Sequence, residues 1–495
     1  MLLRGREPKF KRESGILLSL TSLPACYGIG TLGREAYKFI DFLTKSNQTY
    51  WQLLPLVPFG KGNSPYSSQS TFAGEILLID IEMLVDINLL QPDNIAEKEF
   101  PKNVDYKAVR KFKLPLLKKA AENFDIKNSD FLNFKRKNAY WLRDYCLFMA
   151  IKDSFCGMPF YKWSDPLKYR LPDAIKEFEI YHSKEIYFYE ITQYLFYSQF
   201  YKLKNYAQKN GIKLIGDIPF YVSLDSADVW SNPHCFRLGR DMTPVLVAGV
   251  PPDIFSSEGQ LWGNPIYDWE HHKKTDFAWW KLRLKHNSLM YDVIRIDHFR
   301  AFADYYTIPF GAENAKSGTW EKGVGMQFWN SVKPIIRDTE IIAEDLGGET
   351  PPVRELIKKT GFPDMKVLQF AFNTDLKNQF LPKNYNKNCV CYTGTHDNDT
   401  TLGWYTKSSP KEKLLFSHLV TQSIDEKAVL NLVAYGMKSK ARMVIIPFQD
   451  YLCLPSSDRL NTPGTSTKNW EWRYTAEALS DSLSATIKEL TKGRN

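Results

Sequence analysis

The chain has 495 residues, 43% of them hydrophobic and 14% aromatic, with a formal net charge of +9. That length suits roughly two to four domains, or one large barrel with insertions, and the apolar content is ample for a sizeable core. The positive charge is scattered in short clusters such as Lys9-Phe10-Lys11-Arg12 and His271-His272-Lys273-Lys274, which read as solvated faces and speak against a nucleic-acid partner.

Gly15–Leu20 reads as a first strand, too short and wrongly flanked to be a signal segment, and no apolar run approaches membrane-spanning length. Thr21–Gly33 is a loop and Arg34–Thr44 a helix. The loop contains Gly28-Ile29-Gly30-Thr31-Leu32-Gly33, a dinucleotide fingerprint on paper. The next strand, Tyr50–Leu56, has no acid at its tip to hold a ribose hydroxyl, so the glycines are expected to shape a tight loop, with Thr31 capping the helix. The turn-rich stretch Gly60–Ser68 follows, and within it Tyr66 is either a stacking platform for a ligand or a capping aromatic.

Residues 84–210 read as a mainly helical insertion between the second and third strands. Its clearest helix is Glu185–Lys209, in which Phe196, Phe200, Leu203 and Ala207 form an apolar stripe read as core. Ile212–Val222 is the third strand, with Asp217 near its end. Residues 223–287 alternate Gly, Pro and aromatic residues with little periodicity and read as a loop-rich insertion covering a site. The fourth strand is Asp292–Arg300, the fifth Glu340–Gly347, the sixth Met365–Phe372, the seventh Cys389–Thr393 and the eighth Ala441–Phe448. Helical segments lie between most of them, among them Thr350–Thr360 and Pro410–Tyr435. Eight strands alternating with helices imply one parallel α/β barrel over residues 1–495, a (β/α)8 TIM barrel with large insertions, and no C-terminal β-sandwich domain is visible.

Strands four, five and seven each end in carboxylates, and a parallel barrel gathers all strand ends on one face. Asp297, Glu344 and Asp397 would then share a pocket, with Asp217 beside them. Paired carboxylates are what glycoside chemistry needs: one ionised to attack the anomeric carbon, one protonated to donate to the leaving oxygen. Arg295, two residues from Asp297 and on the same strand face, is expected to keep Asp297 ionised as the nucleophile, leaving Glu344 as general acid/base. Asp397, His298 and His396 would hold sugar hydroxyls, and Asp397 would support the transition state. Spacing does not choose between Glu344 and Asp345, Asp399 before Thr400 reads as a helix cap, and three acids would also suit a magnesium or calcium ion. The seven cysteines are irregularly spaced with no CxxC pair, which speaks against zinc and for reduced thiols in a cytoplasmic protein.

Arg295-Ile296-Asp297-His298-Phe299-Arg300, Ala343-Glu344-Asp345-Leu346-Gly347 and Thr395-His396-Asp397-Asn398-Asp399 resemble the barrel motifs of the α-amylase clan, and most of all those of the 4-α-glucanotransferases. Thr21-Ser22-Leu23-Pro24, Ser64-Pro65-Tyr66-Ser67, Gly216-Asp217-Ile218-Pro219 and Val250-Pro251-Pro252-Asp253 are similar to that family too. So are Gln260-x-Trp262-Gly263-Asn264-Pro265, Asn461-x-Pro463-Gly464-Thr465 and Asn469-Trp470-x-Trp472-Arg473. Tyr221-Val222 and Thr395 stand where hydrolytic α-amylases usually carry an Asn-His pair and an Asn. The resemblance implies a retaining double displacement: an α-1,4-glucan such as a maltooligosaccharide, amylose or glycogen is cleaved, Asp297 holds the glycosyl group, and a second glucan or glucose accepts it. It implies substrate contacts from Tyr66, Ser64, Asp217, Arg295, His298, His396, Asp253, Gln260, Trp262, Asn264 and Asn461, with Tyr66 and the 250s loop walling the acceptor side. It implies no cofactor and no metal. A hydrolase using the same acids and a catalytically idle sugar-binding protein are the competing readings.

Overall fold

A computed structural model describes residues 11–494 apart from 97, 253–256, 337, 348–349, 374 and 424. Eight parallel strands close into a barrel. They are β1 (Glu13–Leu17), β2 (Tyr50–Gln52), β3 (Lys213–Ile218), β6 (Val293–Ile296), β9 (Glu340–Ala343), β10 (Asp364–Val367), β11 (Cys389–Tyr392) and β12 (Met443–Pro447). The barrel order is β1-β12-β11-β10-β9-β6-β3-β2. This is the TIM-barrel fold expected from the alternation of strands and helices. Some strands stop earlier than their apolar runs: β2 pairs over three residues before Pro55 and Pro58 turn the chain away. The apolar residues beyond the strand ends instead fill the core at the barrel mouth, as Leu53, Leu54 and Leu56 do.

Between β2 and β3 lie helices at Tyr106–Glu122, Ser129–Lys137, Leu142–Ser154, Pro172–Tyr181 and Ser183–Lys209. Phe196, Phe200, Leu203 and Ala207 on the longest of these are fully buried. Asn210 caps that helix and Gly211, at φ +74°, turns the chain into β3.

The region 223–287 contains regular structure that the sequence does not announce. β4 (Leu246–Val250) and β5 (Gln260–Pro265) join β7 (Asp304–Pro309) and β8 (Thr319–Lys322) in a second, antiparallel sheet of order β5-β4-β7-β8. Gly249, Gly263 and Pro265 break the propensity signal of β4 and β5. The pairing needs the small residue: a Cβ on Gly249 would stand 2.2 Å from the Gln260 carbonyl oxygen.

One local expectation changes. Thr31 does not cap its helix; the cap position is Gly33, and the Thr31 hydroxyl donates to Asp80 at 2.6 Å. The glycine-rich loop is packed rather than open, since a Cβ on Gly30 would lie 1.8 Å from the Leu20 carbonyl oxygen, leaving no room for a pyrophosphate. All seven cysteines are free thiols, and Cys389 and Cys391 are buried in β11. Among the described residues no helix is long and apolar enough to cross a membrane.

His286 sits in the aromatic packing between the helical segment and the barrel, with Tyr140 Oη at 2.8 Å from Nδ1 and Tyr197 Oη at 2.8 Å from Nε2. Burial lowers its pKa from 6.5 to about 4. A histidine with a lowered folded-state pKa stabilises fully above its unfolded value and loses that contribution as pH falls toward the folded one. Asp228 and Asp345, raised by burial to about 7, act with the opposite sign. Comparison with a variant therefore isolates the histidine. Between pH 6.5 and 4, the melting temperature of wild type should fall more steeply than that of His286→Gln; parallel curves in thermal unfolding would show that His286 does not titrate there.

Candidate active site

The barrel register builds the site. Ile218, Ile296 and Ala343 are neighbours across β3, β6 and β9. The next residues, Asp297 and Glu344, therefore leave their strands side by side at the C-terminal face. Asp217 and Arg295 are also register partners, so strand alternation turns both side chains to one face. Arg295 Nη1 donates to both Asp217 oxygens at 2.8 and 2.6 Å, and Nη2 reaches Asp297 Oδ1 at 3.1 Å. Tyr66 Oη donates to Asp217 Oδ2 at 2.8 Å.

After Asp297 the chain turns through His298 in a left-handed conformation, φ +52°. A non-glycine residue there costs on the order of 1 kcal/mol or more and persists where its surroundings hold it. Here the turn aims the His298 N–H at Glu344 Oε2 (2.7 Å), and the Phe299 N–H at the Glu344 carbonyl (3.0 Å). The other Glu344 oxygen accepts the Leu346 N–H at 2.7 Å. Asp345 turns the other way, accepting the Met365 N–H at 3.1 Å, so Glu344 is the member of the pair that stands beside the Asp297 turn.

The third acid comes from the loop after β11. Asp397 Oδ1 accepts Asn461 Nδ2 at 2.6 Å, and Oδ2 lies 3.4 Å from His396 Nε2. The His396 ring stacks on Tyr66 with centroids 5.1 Å apart and planes 12° from parallel. Tyr66, His396, Asp217, Arg295, Asp297, Asp397 and Asn461 thus form one connected network.

Trp262 of β5 meets His298 edge to face at 4.9 Å, bringing the second sheet to the rim of the site. Gln260 accepts from Trp262 Nε1 at 3.1 Å. Asn264 and Ser64 make main-chain contacts: Asn264 Nδ2 donates to the Val222 carbonyl at 2.8 Å, and Ser64 Oγ accepts the Tyr66 N–H at 3.2 Å. Tyr66 contacts His396 and Trp470. Asp253 lies outside the described residues. Asp399 is not the helix cap. Thr400 is, accepting the Gly403 N–H, while Asp399 pairs with Lys407.

Three residues at the site escape sequence reasoning. Trp470 packs behind Tyr66 at 5.7 Å, Arg459 Nη2 donates to the Asp397 carbonyl at 2.8 Å, and Tyr221 lies 6.1 Å from the His298 ring. Trp470 and Tyr221 stand in stretches compared above with other proteins, yet nothing in their spacing ties them to the acids.

The electrostatics follow from crowding. Burial raises the Asp297 pKa to about 8; Arg295 pulls it down, and Asp217, Glu344 and Asp397 push it further up. Arg295, expected to keep Asp297 ionised, does pull in that direction, but burial outweighs it. Burial lowers His298 to about 3 and also lowers His396, so both rings are neutral near pH 7 and each has one N–H to give. Among the described residues no group of three or more His, Cys, Asp or Glu side chains has the arrangement of a metal site.

The 4-alpha-glucanotransferase family, glycoside hydrolase family 77, matches residues 18–479. The chain is 44% identical over 481 residues to a 4-alpha-glucanotransferase of Clostridium butyricum, covering 96% of this chain and 99% of that one. It is 41% identical over 494 residues to that of Thermus thermophilus, covering 97% and 98%. The fold superposes on an amylomaltase from Streptococcus agalactiae, solved in complex with acarbose, with a TM-score of 0.94 at 39% identity, covering 97% and 99%. This chain belongs to the 4-alpha-glucanotransferase family.

Proposed function

We propose that this protein cleaves an α-1,4-glucan and passes the released segment to the 4-hydroxyl of a maltooligosaccharide, a longer glucan or glucose, through a covalent glycosyl-enzyme. The observation that carries the residue assignment is the register that sets Asp297 and Glu344 side by side, with the His298 N–H bridging the two strand ends. Similarity to a protein solved with acarbose supports a sugar chain in this pocket. Seven free thiols suit the cytosol.

Asp297 attacks the anomeric carbon, and the Arg295 edge at 3.1 Å stabilises its ionised form. Crowded carboxylates retain a proton that belongs to the cluster, and the first half-reaction needs it on Glu344 for the leaving oxygen. In the second half-reaction Glu344 takes a proton from the acceptor hydroxyl. The carboxylate that accepts the His298 and Leu346 N–H groups is the form suited to that step. Asp397, oriented by Asn461 and the Arg459 contact, would hold hydroxyls of the reacting sugar as charge develops on its ring. Tyr66, backed by Trp470 and fixed by Asp217, offers a flat face for stacking. Trp262, 38% exposed at the rim, can present its ring to an acceptor sugar in place of water.

Incubation with maltotriose alone should yield longer chains plus glucose at constant total reducing ends. Rising reducing ends without longer chains would make it a hydrolase. Asp297→Asn should abolish formation of the glycosyl-enzyme, and Glu344→Gln should lower turnover by roughly 10²–10⁴-fold while glucan binding survives; wild-type turnover by either would overturn the assignment. Because Asp217 raises the Asp297 pKa, Asp217→Asn should move the acid limb of kcat/KM to lower pH. A limb that stays put would separate Asp217 from that titration.

A further inference from the structure

Arg300 lies three residues past Asp297, and nothing in the reaction above uses it. Its side chain is 6% exposed and is engaged by protein groups. Nη1 donates to the Gly347 carbonyl at 2.5 Å, in the loop that follows Glu344. Nε and Nη2 donate to Asp304 Oδ1 at 3.1 and 2.6 Å. The Trp320 ring covers the guanidinium, 4.3 Å from Cζ to the ring centroid.

Asp304 and Trp320 belong to β7 and β8, which pair with each other in the second sheet. The other Asp304 oxygen accepts the Thr350 hydroxyl at 3.3 Å. Gly347 is therefore held by Arg300 and Thr350 by Asp304 of the second sheet, to which Arg300 is itself tied. One residue before Gly347, the Leu346 N–H holds Glu344 Oε1. A shift of Gly347 would carry that N–H, and with it the carboxylate, away from the leaving oxygen. Arg300 grips the Glu344 loop, whereas Asp297 is held by Arg295. The side-chain support of the Glu344 loop and that of Asp297 thus come from different arginines.

We propose that Arg300 is the positioning residue for Glu344, anchoring the acid/base loop to the second sheet through Asp304 and Trp320. The inference rests on the acid/base role of Glu344 given above. Its signature is chemical, because fluoride leaves an α-glycosyl fluoride with little need of a proton whereas a sugar alkoxide needs one. A residue that only positions the acid should matter for the second substrate and hardly for the first.

The test compares maltotriose disproportionation with first-turnover fluoride release from α-maltosyl fluoride. Arg300→Met should lower kcat on maltotriose by about 10²-fold, with KM nearly unchanged and fluoride release nearly intact. Arg300→Lys, which keeps the charge but cannot span both Asp304 and Gly347, should fall between Met and wild type. Trp320→Ala removes a ring that is 45% exposed and should show the same split more weakly, providing a readout if Arg300→Met fails to fold. Equal losses on both substrates, or no loss on maltotriose, would overturn the positioning role. Glu344→Gln assayed alongside separates the two readings. If it spares fluoride release and Arg300→Met does not, only the positioning role falls; if it loses both activities, the acid assignment of Glu344 falls.

Discussion

The site depends on one arginine shared between two acids. Arg295 is bidentate to Asp217 on β3 and reaches Asp297 beyond β6, with side-chain exposures of 3% for Arg295 and 0% for Asp217. Ions buried that deeply cost several kcal/mol each unless geometry and further hydrogen bonds compensate, and losing one partner costs about 3–5 kcal/mol. The parallel register meets that requirement because Asp217 and Arg295 are direct cross-strand neighbours. Once the pair is fixed, Tyr66 is fixed by its hydroxyl on Asp217, His396 by its stacking on Tyr66, and Asp397 lies beside His396.

A second constraint is main-chain geometry at the strand tips. The left-handed His298 turns the backbone N–H of one catalytic strand onto the carboxylate of the next. Hydrogen bonds from backbone need no side-chain ordering, so they orient Glu344 at little entropic cost. The second sheet supplies the outer support: it brings Trp262 to His298 and, through Asp304 and Trp320, meets Arg300. A barrel with short strands alone would leave these loops without a rigid backing.

The eight barrel strands were legible because each is a short β-branched or apolar run between helical stretches, Asp297 and Glu344 because acids directly follow such runs, and Asp397 because an acid-bearing loop follows the seventh. Strand ends were misjudged where apolar residues continue past the last ladder pair into the mouth of the barrel, as at Leu53–Leu56. β4 and β5 were missed because their glycines and proline suppress the propensity signal, and because β4 gains its other partner only from distant β7, as when Val247 meets Ile308. Thr31 was misassigned because a buried carboxylate, Asp80, competes for its hydroxyl.

Sequence alone determined what is local or strictly periodic: the strand and helix alternation, the acids at strand tips, the core stripe on the Ser183–Lys209 helix, and the motifs that mark the family. Tertiary structure decided what depends on several distant segments meeting. It turned Glu344 rather than Asp345 toward Asp297, because a His298 N–H from another strand claims one and the Met365 N–H the other. It raised the Asp297 pKa against the pull of Arg295, first because folding buries the carboxyl and then because Asp217, Glu344 and Asp397 crowd it. It also put Trp470, Arg459 and Arg300 to use, since hydrogen bonds and ring contacts across the barrel mouth have no spacing along the chain.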